Sequence, residues 1–169
     1  MNYFELFDIP VQLKVNTALL SKKFFAMSKQ FHPDYFASEN EQVQAEALEK
    51  SALLNKAWKT FQNPDATIKY VLLEKGLLEE EEKYELPPDF LMEVLEINEA
   101  LMDADEPDVV TKLKPTIENL QSEIYEPVIE MVENYKDGAD TEKELLQVKE
   151  YYYKKKYLDR ILKQLAGMA

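Results

Sequence analysis

Apolar residues recur along most of this chain at spacings of three and four, the period of helices that bury one face. Tyr3, Phe4, Leu6 and Phe7 open it as a short apolar turn or helix that Pro10 terminates. Leu20, Phe24, Met27 and Phe31 follow at intervals of four, three and four, predicting a helix from Thr17, behind an Asn16 cap, to about Phe31. Pro33 stops it. A proline disfavours helical backbone in the residue before it, so His32 is pushed toward an extended conformation and Asp34 enters a loop. A third helix is predicted from about Glu41 to Gln62, with Leu48, Ala52, Leu53, Asn55, Ala57, Trp58 and Phe61 on its buried side. The two long helices form an antiparallel hairpin with Phe31-His32-Pro33-Asp34 as its polar tip. Asn63-Pro64-Asp65 then supplies a cap and a proline at the first helical position, opening a short fourth helix that Gly76 can end.

Glu79 to Glu82 form a charge run and Pro87-Pro88 a break, so residues 77–86 read as a solvated acidic linker. It divides a first domain, residues 1–76, from a second, residues 87–169. From Asp89 the helical period resumes. Phe90, Val94, Ile97 and Leu101 lie within about 60° of one another at 100° per residue and make a core stripe. Leu91, Leu95 and Met102 cluster about 100° away, with Met92, Glu96, Glu99 and Asp103 on a further face. This helix therefore carries more apolar surface than one seam needs. Two explanations stay open: a wide core contacting two neighbours, or an exposed apolar patch rimmed by carboxylates.

Pro107 can open a middle helix running through Leu113, Ile117, Leu120, Ile124, Val128 and Met131 to about Tyr135, with kinks or a break expected at Pro115 and Pro127. Asp137-Gly138 is a turn, and Asp140 or Thr141 can cap a last helix to about Leu165, along Leu145, Val148, Tyr152, Tyr157 and Ile161. The second domain is thus expected to be a three-helix bundle. Three glycines in 169 residues leave little material for tight turns between strands, which strengthens an all-α reading.

The net charge of −13 is unevenly spread. Residues 79–108 hold 13 acidic side chains against Lys83, whereas Lys14, Lys22, Lys23 and Lys29 against Asp34 make residues 11–35 a basic island of +3. The N-terminal long helix is therefore suited to an acidic protein surface. A chain this acidic would repel phosphate, so nucleic acid is not an expected partner. Residues 149–163 are net +4, an expected neighbour for the acidic helix over 89–105. No run approaches 18 apolar residues and the N-terminus lacks a basic region before an apolar one, so the expectation is a soluble, cytoplasmic protein that makes no membrane contact.

His32 is the only histidine, and there is no cysteine. A zinc site needs three or four clustered ligands, and a nucleophilic triad needs an activated serine or cysteine beside its base. Neither pattern is present, so no metal, cofactor or catalytic residue is assigned and an enzyme is not expected. By composition, His-Pro-Asp arises by chance in on the order of one chain in a hundred of this length. The tripeptide gains meaning only from its setting.

That setting, a short helix, a long basic helix, the His-Pro-Asp tip and another long helix, resembles the J-domain, the DnaJ-type module. Tyr3-Phe4, Leu6-Phe7, the run Phe31 to Asp34 with Phe36-Ala37, Asn55-x-Ala57-Trp58-x-Thr60, Pro64, Tyr70-x-Leu72-Leu73 and Gly76 are similar to one branch of that family, the HscB-type co-chaperones of iron–sulfur cluster assembly. In the second domain Phe90-Leu91-Met92-Glu93-x-Leu95-Glu96 and Tyr157-Leu158-Asp159 are similar to the same branch. The resemblance implies stimulation of ATP hydrolysis by a DnaK-type chaperone, HscA where a dedicated one exists, through His32, Pro33 and Asp34 assisted by Lys22, Lys23 and Lys29. It implies binding of the cluster scaffold protein IscU through Leu91, Met92, Leu95, Glu96, Glu99, Asp103 and Tyr157. Tyr35 stands where many J-domains have a basic residue, Asp103 replaces a usual glutamate, and Pro115 and Pro127 are foreign to the bundle's middle helix. A general J-protein with another client, or an acidic helical adaptor that leaves ATP turnover unchanged, are the alternatives.

Overall fold

The computed structural model describes residues 1–103, 107–138 and 141–168, which form helices with no strand among them. Helix α1 (Tyr3–Phe7) starts in a capping box, in which the Asn2 side chain accepts from the Glu5 amide and Glu5 reaches back to the Asn2 amide. Helix α2 (Thr17–Gln30) and helix α3 (Glu41–Gln62) begin at Asn16 and Asn40, whose side chains accept from the Leu19 and Val43 amides. Each such cap contributes about 1 kcal/mol by satisfying an amide the helix cannot. Phe24 stacks on Trp58 at 4.9 Å and Lys50 lies 5.2 Å over the Phe31 ring, so α2 and α3 run antiparallel as expected.

The buried side of α3 agrees with the expected one at Ala57 and Phe61 and differs elsewhere. Ala47, Leu54, Ala57 and Phe61 are buried, whereas Leu48 is 60% exposed, Ala52 and Asn55 face solvent, and Leu53 and Trp58 are half-buried. Leucine and alanine occur around much of this helix, so its own period does not choose the face. Its neighbours do: Phe4 and Phe7 of α1 meet Phe61 at ring distances of 5.0 and 5.8 Å, which fixes the rotation of α3.

Helix α4 (Pro64–Glu74), capped by Asn63, ends at Gly76 with φ of +70°. The Leu77 amide donates to the Leu72 carbonyl and the Gly76 amide to Leu73, a Schellman ending that needs glycine's left-handed backbone. Residues 77–86 carry no helix, yet they are held. Leu78 is buried; Glu82 pairs with Lys149 at 2.8 Å; Tyr84 stacks on Tyr153 at 4.5 Å. Glu79, Glu80 and Glu81 face solvent, as a charge run should.

Helices α5 (Pro88–Met102), α6 (Pro107–Tyr125) and α8 (Glu142–Met168) make the three-helix bundle around Phe90, Val94, Ile117, Leu158 and Ile161. Pro115 is accommodated inside α6, on its exposed side, where water can replace a missing backbone bond. Pro127 is not. It falls in a 3₁₀ turn at Glu126–Val128 that separates α6 from the short helix α7 (Ile129–Asn134), so the kink or break expected at Pro127 occurs as a break. Of the two expected caps for α8, Asp140 lies outside the described residues, and the Thr141 carbonyl accepts from Leu145 at 2.8 Å.

Helix α8 belongs to two cores. Leu145, Val148, Tyr151 and Tyr152 pack with Phe4, Leu54, Ile68 and Leu72 of the N-terminal helices, while Leu158, Ile161 and Leu165 pack inside the bundle. Around the first of these seams, Lys155 meets Asp65 at 2.5 Å, Lys75 meets Asp137 at 2.5 Å and Lys14 meets Glu133 at 3.3 Å. Partly exposed pairs contribute about 0–1 kcal/mol each, so apolar burial holds the seam and the ions fix its register. Residues 149–163 do lie beside α5, with Lys154 5.6 Å over the Phe90 ring, but among the described residues the ion pairs of α8 go to Glu82, Asp65 and neighbours on α8 itself.

These pairs set an acid sensitivity. The Lys149 ammonium holds the Glu82 carboxyl below its ordinary value of 4.5, and Lys75 holds Asp137 below 3.8. Depressed folded-state values stabilise the fold above the unfolded values and lose that contribution as pH falls through them. Between about pH 5 and pH 3, the urea midpoint of the wild type should therefore drop further than that of Glu82→Gln/Asp137→Asn. Parallel curves would exclude the seam as the acid-labile part.

Candidate functional site

The hairpin tip is built by backbone rules acting on four residues. Helix α2 ends at Gln30, His32 is extended at φ −62° and ψ 130°, and Pro33–Phe36 turn once as a 3₁₀ helix rather than the expected open loop. Proline supplies the φ of a first helical position and His32 becomes the cap, its Nδ1 accepting from the Asp34 amide at 3.2 Å. With Nδ1 occupied as an acceptor, the neutral imidazole carries its proton on Nε2. The Asp34 carboxylate is 91% exposed, 3.5 Å from Nδ1, and the His32 side chain is half exposed. The tip therefore offers a ring N–H donor and a carboxylate acceptor side by side on one turn of backbone.

Of the three lysines expected beside it, the structure keeps two together. Lys22 and Lys29 are exposed and about 20° apart on α2. Lys23 is turned aside, its ammonium donating to the Phe7 and Asp8 carbonyls at 3.0 and 3.3 Å, where it caps the end of α1. It is thus a strut between α1 and α2, not part of the same face. Two exposed aromatics went unassigned in the sequence. Phe25, 63% exposed, lies about 60° from Lys22, and Tyr35, 69% exposed, sets its ring at 86° to His32. Phe25 adjoins the core stripe by one position, which hides its exposure from periodicity alone.

On α5 the surplus apolar residues lie outside the core. Phe90, Val94 and Ile97 are at most 5% exposed, whereas Leu91 is 43%, Leu95 55%, Met92 70% and Met102 85% exposed. Glu96, Glu99 and Asp103 are exposed beside them. Of the two explanations open in the sequence, the wide core is excluded and the rimmed patch remains. Tyr157 of α8 closes one edge of it: the Asn98 side-chain amide donates to the Tyr157 hydroxyl at 3.1 Å, and the Tyr157 ring meets Phe90 edge to face at 6.3 Å. All seven residues expected on this surface therefore lie on or beside one face. Among the described residues, no group of three or more His, Cys, Asp or Glu is placed to hold a metal ion.

Comparison with known proteins bears on both surfaces. Residues 86–166 match the sequence model of a family described as the HSCB C-terminal oligomerisation domain. The chain is 40% identical over 102 residues to a co-chaperone protein HscB homolog of Vibrio cholerae, 60% of each chain, and 38% identical over 104 residues to that of Vibrio parahaemolyticus, 61% of each. The matched length is thus about three fifths of these curated relatives. The crystal structure of human co-chaperone protein HscB superposes with a TM-score of 0.80 at 26% identity, covering 98% of this chain and 81% of that one. Chaperone HscB from Vibrio cholerae superposes with a TM-score of 0.74 at 27% identity, covering 99% and 97%.

Proposed function

We propose that this chain, which belongs to the HscB family of co-chaperones, stimulates ATP hydrolysis by a DnaK-type chaperone, HscA where a dedicated one exists, and delivers to it the iron–sulfur scaffold protein IscU. One observation carries the reading: an exposed His32-Pro33-Asp34 turn and an exposed apolar and acidic face on α5 occur in one molecule, joined by a helix that belongs to both cores.

The tip acts on its partner as a recognition group. A donor on His32 and an acceptor on Asp34, beside Lys22 and Lys29, suit an acidic chaperone surface that presents its own polar groups. Binding more tightly to the hydrolysis-competent state of the chaperone shifts its population; the groups that cleave ATP belong to the chaperone. On α5, Leu91, Met92 and Leu95 are the anchors, Glu96, Glu99 and Asp103 set orientation, and Tyr157 contributes an aromatic edge from α8. Cytoplasmic location is part of the proposal. No helix among the described residues is long and apolar enough to cross a membrane.

The test is the steady-state ATPase of a purified DnaK-type chaperone with this protein alone, with the scaffold alone and with both. Stimulation by the protein alone and more than additive stimulation by the pair are expected. No stimulation alone would sink the assignment of the tip; strictly additive rates would sink delivery.

A further inference from the structure

Beyond Tyr157, away from α5, the surface changes sign. On the α8 wheel, Leu158, Ile161 and Leu165 point into the bundle, and Arg160, Lys156 and Lys163 follow Tyr157 at about 60°, 100° and 120° on the side away from that core. All three are exposed, and among the described residues none makes an ion pair. Lys155, one position away, is consumed by Asp65 and Asp159; although burial opposes its charge, those two partners hold the ammonium above its ordinary value. The Arg160 guanidinium instead lies 6.0 Å from the Tyr157 ring centre, and Lys156 5.9 Å over Tyr153. The strip continues into an open groove of about 440 Å³ that it shares with Asn63 at the α3–α4 junction and with Asp65 and Asp159, the two carboxylates that Lys155 engages.

The order of groups across this side of the molecule is fixed by two helices. On α5, Glu96, Glu99 and Asp103 lie about 80° to 140° from Leu91, whereas Leu95 and Met102 lie within about 40° of it. Asn98 lies about 20° to the opposite side, where it holds Tyr157. Crossing from α5 to α8 therefore meets carboxylates, then an apolar stripe, then Tyr157, then three cations that make no ion pair among the described residues. We infer that these form one interface with an acidic and a basic margin, and that the protein bound there presents carboxylates to Arg160 and Lys156 and cations to Glu96, Glu99 and Asp103. The inference rests on the scaffold-binding reading of α5 and adds the chemistry of its partner. A dipolar arrangement distinguishes the bound orientation from its reverse, because a half-turn of the partner would bring like charges together on both margins.

Titration calorimetry of the full chain with purified scaffold protein at two salt concentrations tests it. Lys156→Glu/Arg160→Glu should weaken binding on the order of tenfold at low salt and flatten its salt dependence, with Lys156→Gln/Arg160→Gln falling between. Circular dichroism should show both variants folded, since neither side chain is buried. Unchanged affinity in the reversal variant, while Leu91→Ala/Leu95→Ala still weakens binding, would overturn the basic margin and leave the α5 surface standing. Tighter binding on charge reversal would overturn it too, showing a partner basic throughout. If the leucine pair has no effect, the scaffold reading itself fails, and the margin with it.

Discussion

His32→Gln should abolish stimulation of chaperone ATPase while leaving scaffold affinity as it is. The imidazole is the cap of the Pro33–Phe36 turn, its Nδ1 accepting from the Asp34 amide while about half of its side chain stays exposed. Glutamine places its donor on a flexible chain, and loses the ring that holds donor, carboxylate and turn in one geometry. Because the side chain is half exposed and packs into no core, the folded state should lose less than about 1 kcal/mol, within the range of a weakened cap. The functional loss should exceed tenfold in stimulated rate at any concentration short of saturation. A thermal melt separates the two quantities. Full stimulation by a folded His32→Gln protein would remove the tip from the mechanism.

Leu91→Ala with Leu95→Ala should do the converse. Both side chains stand about half exposed in the free protein, so truncating them opens no cavity and costs little stability. In a complex they would be desolvated at the centre of the patch, where each truncated anchor typically costs about 1–2 kcal/mol. The pair should therefore weaken scaffold binding on the order of 30-fold to 1,000-fold, and the more than additive part of chaperone stimulation should vanish with it. Stimulation by the protein alone should persist, since α5 is remote in sequence and core from the tip. Wild-type affinity by calorimetry would refute the α5 assignment.

The difference between these two surfaces in the sequence is instructive. The tip was legible because its features are local: a proline dictates the backbone of the residue before it, and a helical stripe leading into Phe31 dictates where the chain turns. The α5 surface was legible only as an excess. Periodicity finds Leu91, Leu95 and Met102 off the core stripe, but whether another helix covers them depends on where α6 and α8 pack. The same limitation displaced the buried side of α3, where Leu48 and Ala52 satisfy the period as well as Ala47 and Leu54 do. Phe4 and Phe7, about fifty residues earlier, decide between them. Lys23 shows the limit for charge, since a lysine on a basic helix gives no sign that it reaches two carbonyls at the end of α1. The acidic and basic stretches over 89–105 and 149–163 invite pairing within the chain, and the structure pairs Lys149 with Glu82 and Lys155 with Asp65 instead.

The double membership of α8 bears on how, under the proposed function, a delivered protein would meet its chaperone. At 1.5 Å per residue its 27 residues span about 40 Å, and they are part of the packing at both ends. A flexible tether would let a captured scaffold sample a large volume around the tip, with an effective concentration that falls as the tether lengthens. A continuous helix replaces that volume with a narrow set of positions. Under the proposed function, a tip docked on its chaperone would already restrict the translational and rotational freedom of a bound scaffold, and the handover would become nearly unimolecular.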